Sequence, residues 1–228
     1  MMQRVPEPEL MDAVEQAEAY AAADFSSPNG AFVEQVLAAM PRSTQRLLDL
    51  GCGPADICIR LARALPRLTV DALDGSRPML DCARRALGAE PRDLSTRIRL
   101  LERQLPDPTL ERQAYDAVTS NSLLHHLHDP QVLWQTVTKV ASPGATVIVM
   151  DLLRPDSTSA AEAIVARYAA DEPEVLKQDF YNSLRAAFTP DEVRAQLAEV
   201  GFSHWAVTVV SDRHLLVCGR VSADQAAL

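Results

Sequence analysis

Residues 46–54 read RLLDLGCGP, a short apolar run that ends in a loop with two glycines. Residues 56–65, DICIRLARAL, place apolar side chains at Ile57, Leu61 and Leu65, which is the spacing of an amphipathic helix. Glycine lets the main chain turn tightly and approach a ligand closely, and the first turn of a helix offers unpaired N–H groups. The stretch therefore predicts a buried strand, a ligand-binding loop and a helix, although such a loop can also be a purely structural turn.

Short apolar runs and helical patterns continue to alternate along the chain. Further strands are predicted at LTVDAL, RIRLLE, YDAVTS and ATVIVMDLL, with helices at RPMLDCARRAL and PQVLWQTVTKVA. A capped helix over residues 189–201 and a hairpin of HWAVTVV and HLLVCGR follow. Strands that alternate with helices form right-handed βαβ units. We therefore expect an α/β three-layer sandwich with a mostly parallel seven-stranded sheet and a C-terminal antiparallel hairpin.

Two segments fall outside this alternation. Residues 1–45 have a mainly helical pattern and precede the first strand, and residues 154–188 form a helical insertion after the fifth strand. Because ligands of open α/β sheets bind at the carboxyl ends of the strands, we expect the first segment to be a lid and the second a substrate wall. The main domain is expected over residues 46–220, and residues 221–228 are expected to be a tail.

Composition excludes several classes of function. The net charge of -9 argues against a nucleic-acid partner, which needs a face rich in lysine and arginine. No apolar run reaches the roughly 18 residues of a membrane span, so no membrane association is expected. The opening MMQRVPEPELMDAVEQ lacks the apolar core of a signal peptide, which favours a cytoplasmic location. The oligomeric state is left open between monomer and homodimer.

Cysteine and histidine spacing gives no sign of a metal site. The four cysteines form no CxxC pair and no ligand pattern with histidine, so neither a disulfide framework nor a structural zinc is expected. His125, His126 and His128 are close in sequence, but adjacent residues on a helix do not face one site. The sequence therefore predicts no bound metal.

An acidic residue follows the glycine loop at a suggestive distance. The second strand ends in Asp74, about 20 residues beyond the loop, where a carboxylate can accept hydrogen bonds from both hydroxyls of a ribose. A turn or cap aspartate before Arg77-Pro78 would look the same, and the pattern leaves both roles open.

Four stretches together resemble one known family. LLDLGCGPADICIRLA, ALDGSRPML, YDAVTSNSLLHHLHDP and ASPGATVIVMDL occur in the order and spacing of the class I, Rossmann-like S-adenosylmethionine-dependent methyltransferases. The chain looks most like the small-molecule branch that includes the ubiquinone and menaquinone biosynthesis enzymes, and the resemblance covers roughly residues 46–151. It implies S-adenosylmethionine as cofactor, S-adenosylhomocysteine as product, and in-line methyl transfer to an O, N, S or C nucleophile of a small molecule.

The resemblance also implies which residues contact the cofactor. The glycine loop would lie against its methionine part, Asp74 would bind the ribose, and one polar residue among Glu102, Arg103 and Gln104 would meet the adenine. The end of the fourth strand would approach the transferred methyl. The complete implied set is Asp49, Gly51, Cys52, Gly53, Asp74, Gly75, Ser76, Met79, Glu102, Arg103, Gln104, Ser120, Asn121 and Ser122. The chain departs from the family at Ala55, where many members have glycine, and mildly at Ala145.

Candidate catalytic residues follow the fourth and fifth strands or lie in the N-terminal segment. They are His125, His126, Tyr20, Asp151 and Arg154. Either histidine can act as a proton acceptor, but it can equally pack within the turn. The pair at the end of the fifth strand can orient a substrate or form an ordinary ion pair.

Candidate acceptor-binding residues are aromatic or bidentate groups in the two extra segments: Phe25, Tyr181 and Arg185. Each can also be a simple packing residue. Two other functions compete with methyl transfer: a non-catalytic S-adenosylmethionine-binding partner or regulatory protein, and an NAD-dependent oxidoreductase. The incomplete GxGxxG pattern disfavours the latter.

Overall fold

The protein is described here by a computed structural model covering residues 2–222. Residue 1 and residues 223–228 lie outside the described part, and with them most of the tail predicted at 221–228. Among the described residues, no helix is both long and apolar enough to span a membrane.

The helices and strands alternate through the middle of the chain. The strands are β1 Arg46–Leu50, β2 Thr69–Asp74, β3 Ile98–Glu102, β4 Tyr115–Asn121, β5 Ala141–Leu152, β6 Ala206–Val209 and β7 His214–Arg220. The helices are α1 Val14–Ala22, α2 Ser26–Ala39, α3 Asp56–Ala64, α4 Arg77–Gly88, α5 Arg92–Ser95, α6 Gln131–Val140, α7 Thr158–Tyr168, α8 Glu174–Ala186 and α9 Pro190–Glu199. A 3₁₀ turn spans Leu124–His126.

The seven strands form one sheet in the order β3-β2-β1-β4-β5-β7-β6. β1 to β5 are parallel, and β7 runs antiparallel to both β5 and β6. The strand order reverses between β1 and β4, which is the switch point where open α/β sheets bind ligands. This architecture confirms the fold class predicted from the sequence.

Both faces of the sheet are covered because its central strands are apolar on both sides. Leu47 and Leu48 point to opposite faces of β1, and both are fully buried. One face packs around Trp134 and Phe202, under α6 and α9. The other face packs around Phe32 and the buried stripe of α3. Burial of side chains of this size contributes about 1.5–3 kcal/mol each.

The N-terminal segment differs from the sequence expectation. Residues 2–13, which we call the N-terminal strap, contain no helix, and only α1 and α2 bear out the helical pattern of residues 1–45. Pro6 and Pro8 explain the difference, since each lacks an N–H group and each disfavours helical geometry in the residue before it. The strap runs extended across the protein, and the Val5 N–H donates to the Arg185 carbonyl oxygen at 3.0 Å.

Two further differences concern the boundaries of elements. β5 begins at Ala141, directly after α6, whereas the sequence predicted a start at residue 145. The short helix α5 was not predicted, because four residues show no helical period. The insertion after β5 contains α7 and α8, which lie between β5 and α9.

Candidate functional site: a cavity at the carboxyl ends of the parallel strands

A cavity of about 820 Å³ opens at the carboxyl ends of the parallel strands. The loops that follow β1, β2, β3 and β4 form one side of it, and the strap, the α1–α2 turn and α7–α8 form the other. Its volume lies within the roughly 300–1,000 Å³ range of small-molecule and cofactor sites.

The glycine loop reaches this cavity in a conformation that favours glycine. Gly51 has φ +74° and Gly53 has φ +51°, both in the left-handed region. A Cβ atom at Gly51 would lie 2.9 Å from the Cβ of Leu123, so any other residue there would push the β1 loop and the β4 loop apart. Ala55 adopts φ +67° without being glycine, which costs roughly 1–2 kcal/mol of backbone strain. The position where the family often has glycine therefore needs glycine-like geometry here as well.

The Asp74 carboxylate connects the loops after β1 and β2. Its two oxygens accept the Gly53 N–H and the Ser76 N–H, each at 2.8 Å. Burial raises the pKa of Asp74, and these two amides only partly offset that effect. Ser76 also caps α4 by accepting the Met79 N–H. The Asp74 carboxylate, which can accept hydrogen bonds from a ligand, thus lies at the cavity wall, at the switch point of the sheet.

A polar atom without a partner lies at the end of β4. The Oδ1 atom of Asn121 is buried and has no hydrogen-bond partner among residues 2–222. Both Asn121 and Ser122 line the cavity, and Ser122 has φ +58°. Because a buried acceptor left unpaired costs about 1–3 kcal/mol, this oxygen marks a place for a ligand donor.

Four of the residues predicted to contact the cofactor do not line the cavity: Asp49, Cys52, Glu102 and Ser120. Asp49 lies beneath the loop, where its carboxylate accepts hydrogen bonds from Thr119 Oγ1 at 2.7 Å and Cys58 Sγ at 3.1 Å. Burial raises the pKa of Asp49 to about 6.

The contacts of Ser120 and Glu102 in and beside the sheet explain why these two side chains do not line the cavity. The Ser120 hydroxyl donates to the Leu50 carbonyl oxygen of the neighbouring strand, and Glu102 is exposed near Arg84. Of the three polar candidates for the adenine, Arg103 and Gln104 line the cavity. The other predicted residues on this side also line it: Gly51, Gly53, Asp74, Gly75, Ser76, Met79, Asn121 and Ser122.

His125 and His126 both line the cavity, and His125 is held from behind by Asp151. The Nδ1 atom of His125 lies 2.6 Å from an oxygen of Asp151, whose other oxygen accepts the Leu124 N–H at 2.7 Å. Burial lowers the pKa of His125, but the carboxylates of Asp151 and Glu7 together raise it more, so the net shift is upward. Burial and the neighbouring His125 lower the pKa of His126 to about 3. Asp151 itself is fully buried behind the ring and does not reach the cavity.

The strap brings two charged residues to this wall that the sequence did not single out. The Arg4 guanidinium donates to the carbonyl oxygens of His125 and Leu127, both at 3.0 Å, and stacks over the Phe188 ring at 4.0 Å. The Oε1 atom of Glu7 lies 3.4 Å from His125 Nε2. The only signal in the sequence was the interleaving of charges and prolines in RVPEPEL, which carries no periodicity.

Tyr20 and Phe25 close the cavity from the α1–α2 side. Their ring centroids are 4.6 Å apart, and both side chains line the cavity. Burial, together with the charge of Asp74, raises the pKa of Tyr20 to about 12. Its phenol is therefore protonated at neutral pH and can donate a hydrogen bond.

Three other predicted residues lie outside the cavity. Arg154 is buried and pairs with Glu192 at 2.6 Å, so the ordinary ion pair replaces the expected substrate contact. Tyr181 and Arg185 contact each other instead of the cavity, with the guanidinium 5.5 Å from the ring centroid. The reason is helical phase: the residues of α8 that line the cavity are Leu176, Asp179, Phe180 and Ser183, and the two predicted residues lie off that face.

Comparison with known proteins shows similarity to methyltransferases. Residues 48–147 match the family described as a methyltransferase domain. The chain is 35% identical over 118 residues to an uncharacterized methyltransferase of Mycobacterium tuberculosis, a match that covers 52% of this chain and 56% of the relative. It is 25% identical over 178 residues to the demethylmenaquinone methyltransferase of Roseiflexus castenholzii, covering 74% of this chain and 72% of the relative.

Solved structures agree on the fold. The crystal structure of a S-adenosylmethionine-dependent methyltransferase from Aquifex aeolicus superposes with a TM-score of 0.66 at 16% identity, covering 90% of this chain and 98% of that one. The match with the mycobacterial relative spans only about half the length of each protein. Residues 48–147 are therefore similar to a methyltransferase domain, and the fold resembles that of the class I, Rossmann-like S-adenosylmethionine-dependent methyltransferases.

Proposed function

We propose that the protein transfers the methyl group of S-adenosylmethionine to a small-molecule acceptor by in-line displacement. One observation carries the proposal: the Gly51–Gly53 loop and the Asp74 carboxylate meet at the switch point of the sheet, beside a cavity large enough for a cofactor and an acceptor.

The described residues fit this cofactor at three places. The buried Oδ1 of Asn121 lacks a donor, and an ammonium group such as that of the methionine part would supply one. The Asp74 carboxylate can accept hydrogen bonds from ribose hydroxyls. Met79 and Gln104 line the cavity beyond it and offer an apolar surface and an amide for a purine.

The other half of the cavity suits an organic acceptor. Aromatic and aliphatic side chains line it, including Phe25, Leu176 and Phe180, together with polar and charged groups at Asp179, Ser183 and His214. Apolar walls with a few polar groups are typical of small-molecule sites. The net charge of -9 disfavours a polyanionic substrate, and the relative that acts on demethylmenaquinone supports a small organic acceptor.

In this mechanism the protein mainly positions the reactants and excludes water. The cofactor supplies a methyl group on a positively charged sulfur together with a good leaving group. Tyr20, Phe25 and Phe180 cover the cavity and limit access of water to the reacting atoms. Of the predicted catalytic set, Tyr20, His125 and His126 lie at the cavity wall, and Asp151 acts through His125 as a positioning residue.

Calorimetry with S-adenosylhomocysteine and with NAD tests the cofactor assignment. We expect the first ligand to bind and the second not to bind. Asp74→Asn should weaken binding by about 1–3 kcal/mol, roughly 5- to 150-fold, because a charged acceptor is lost. Asp71→Asn is the matched control: it makes the same change in the same strand, but Asp71 pairs with Arg99 outside the cavity. Equal affinity in the Asp74 variant and the parent would overturn the ribose assignment.

Methyl transfer itself is tested with labelled cofactor and a metabolite extract. Labelled small molecules should appear with the parent protein and decrease with Asp74→Asn. Binding of S-adenosylhomocysteine with no labelled product from any extract would indicate a non-catalytic cofactor-binding protein instead.

A further inference from the structure

Three potential metal ligands converge where the strap crosses the end of β4. They are Glu7 Oε1, His125 Nε2 and His126 Nδ1, and all three atoms lie within 4.8 Å of one another. The Glu7 oxygen is 3.4 Å from the His125 nitrogen and 3.3 Å from the His126 nitrogen. The Glu7 side chain is only 10% exposed, and that of His125 is 2% exposed.

Hydrogen bonding among the described residues leaves one oxygen of this cluster, Glu7 Oε1, without a partner. The bond from His125 Nδ1 to Asp151 assigns the ring proton to Nδ1, so in the neutral ring Nε2 is an acceptor. Glu7 Oε1 is also an acceptor, and it has no hydrogen-bond partner among residues 2–222. Two lone pairs that face each other at 3.4 Å repel unless a proton or a cation lies between them.

The spacing fits a cation. In a tetrahedral site with metal–ligand distances of about 2.1 Å, neighbouring ligand atoms lie about 3.4 Å apart. The two distances from Glu7 Oε1 match that value. His126 Nδ1 is also available as a ligand. Its only hydrogen bond within the described chain is a 3.4 Å contact with the Pro8 carbonyl oxygen, which is at the limit of hydrogen bonding.

The surroundings support the same conclusion. A carboxylate that holds the far nitrogen of a ligating histidine fixes its tautomer and makes it a better ligand, and Asp151 has this relation to His125. Asp151 and Asp179 add negative charge around Glu7, and the Arg4 guanidinium adds positive charge.

We propose that Glu7, His125 and His126 form a binding site for a divalent transition-metal cation of the Zn²⁺ class. The role of this ion rests on the proposed function. Both histidines line the cavity, so the fourth coordination position is open to an oxygen donor of the methyl acceptor. A bound ion would also tie the strap to the end of β4.

This site departs from the sequence expectation of no metal. That expectation assumed that neighbouring histidines on a helix diverge. In the 3₁₀ turn, the two rings lie only 4.2 Å apart at an angle of 35°, and they offer different nitrogens to the same space. Glu7 lies 118 residues from His125 in sequence, so no local pattern reveals it as a ligand.

The test is a titration of the metal-stripped full-length protein with Co²⁺, followed by the visible absorption of the bound ion and by competition with Zn²⁺. We expect one ion per chain. Glu7→Gln and His126→Ala should each weaken Co²⁺ binding at least tenfold. Glu9→Gln is the matched control, because Glu9 lies on the same strap in an exposed pair with His128, and it should change the affinity less than twofold.

Thermal melting of each metal-free variant checks that it folds. Glu7→Gln keeps the test decisive if His126→Ala fails to fold, because Glu7 lies on the strap outside the sheet. Absence of Co²⁺ binding to the parent, or equal affinity in Glu7→Gln and Glu9→Gln, would overturn the metal site. Binding of S-adenosylhomocysteine to the metal-stripped protein is measured separately by calorimetry. If this ligand does not bind, the result counts against the proposed function and not against the metal site.

Discussion

Asp49 gives a prediction about how stability depends on pH. Its carboxyl group is buried beneath the glycine loop, and burial raises its pKa from 3.8 to about 6, although Thr119 and Cys58 donate hydrogen bonds to it. The folded state therefore holds this proton more tightly than the unfolded state does. The stability that the group contributes is complete below about pH 3.8 and is lost as the pH rises through about 6.

The magnitude follows from the shift. Roughly two pKa units correspond to about 3 kcal/mol of folding free energy above pH 6. Asp49→Asn removes the ionisation and keeps an oxygen that accepts the Thr119 hydroxyl hydrogen bond. We expect this variant to be more stable than the parent by about 2–3 kcal/mol at pH 7.5, with the difference shrinking toward pH 4.

Urea unfolding followed by circular dichroism at several pH values between 4 and 8 measures this difference. Thr119→Val provides an internal check: without its hydroxyl donor, the pKa of Asp49 should rise further, and the pH step should move upward. A stability difference between Asp49→Asn and the parent that is constant from pH 4 to pH 8 would refute the reasoning.

Three further predictions concern the loop, an ion pair and the acceptor. Gly51→Ala should destabilise the protein by about 2–4 kcal/mol in urea unfolding, since it combines left-handed strain with a 2.9 Å contact. The control Gly144→Ala, at φ +84° with open space around it, should lose only about 1–2 kcal/mol. Equal losses in the two variants would contradict the close approach of Leu123 to Gly51. Arg154→Ala should destabilise by about 1.5–3 kcal/mol because its charged hydrogen bonds are lost. Its affinity for S-adenosylhomocysteine should stay unchanged, and a weakened affinity would place the residue in the site. Phe180→Ala should raise the KM for the acceptor severalfold and Arg185→Ala should not, and the reverse result would show that the wrong face of α8 has been assigned to the cavity.

The fold was predictable from the sequence because each of its signals is local. The apolar run before Gly51, the helix period after it and the acid at Asp74 all lie within residues 46–74. The same locality explains why most of the predicted cofactor-side residues line the cavity: they directly follow strands, and parallel strands end at one edge.

The acceptor side was less predictable because it depends on the phase of helices and on distant contacts. A sequence shows that α8 carries aromatic and charged residues, but not which face it turns inward, so Arg185 was chosen where Phe180 lines the cavity. The contact between Glu7 and His125 joins residues that are 118 positions apart in sequence, and it has no local signature. The strap was not distinguished from the rest of the mainly helical segment predicted over residues 1–45, because an extended run leaves no period to detect.

The two packed faces of the sheet also have an optical consequence. Both tryptophans of the chain, Trp134 and Trp205, belong to the cluster under α6 and α9, while the cluster around Phe32 contains none. Tryptophan fluorescence therefore reports on one half of the interior and does not detect unfolding of the half that holds α2 and α3. A fluorescence transition that lags behind the loss of helical ellipticity would reveal that the silent half opens first.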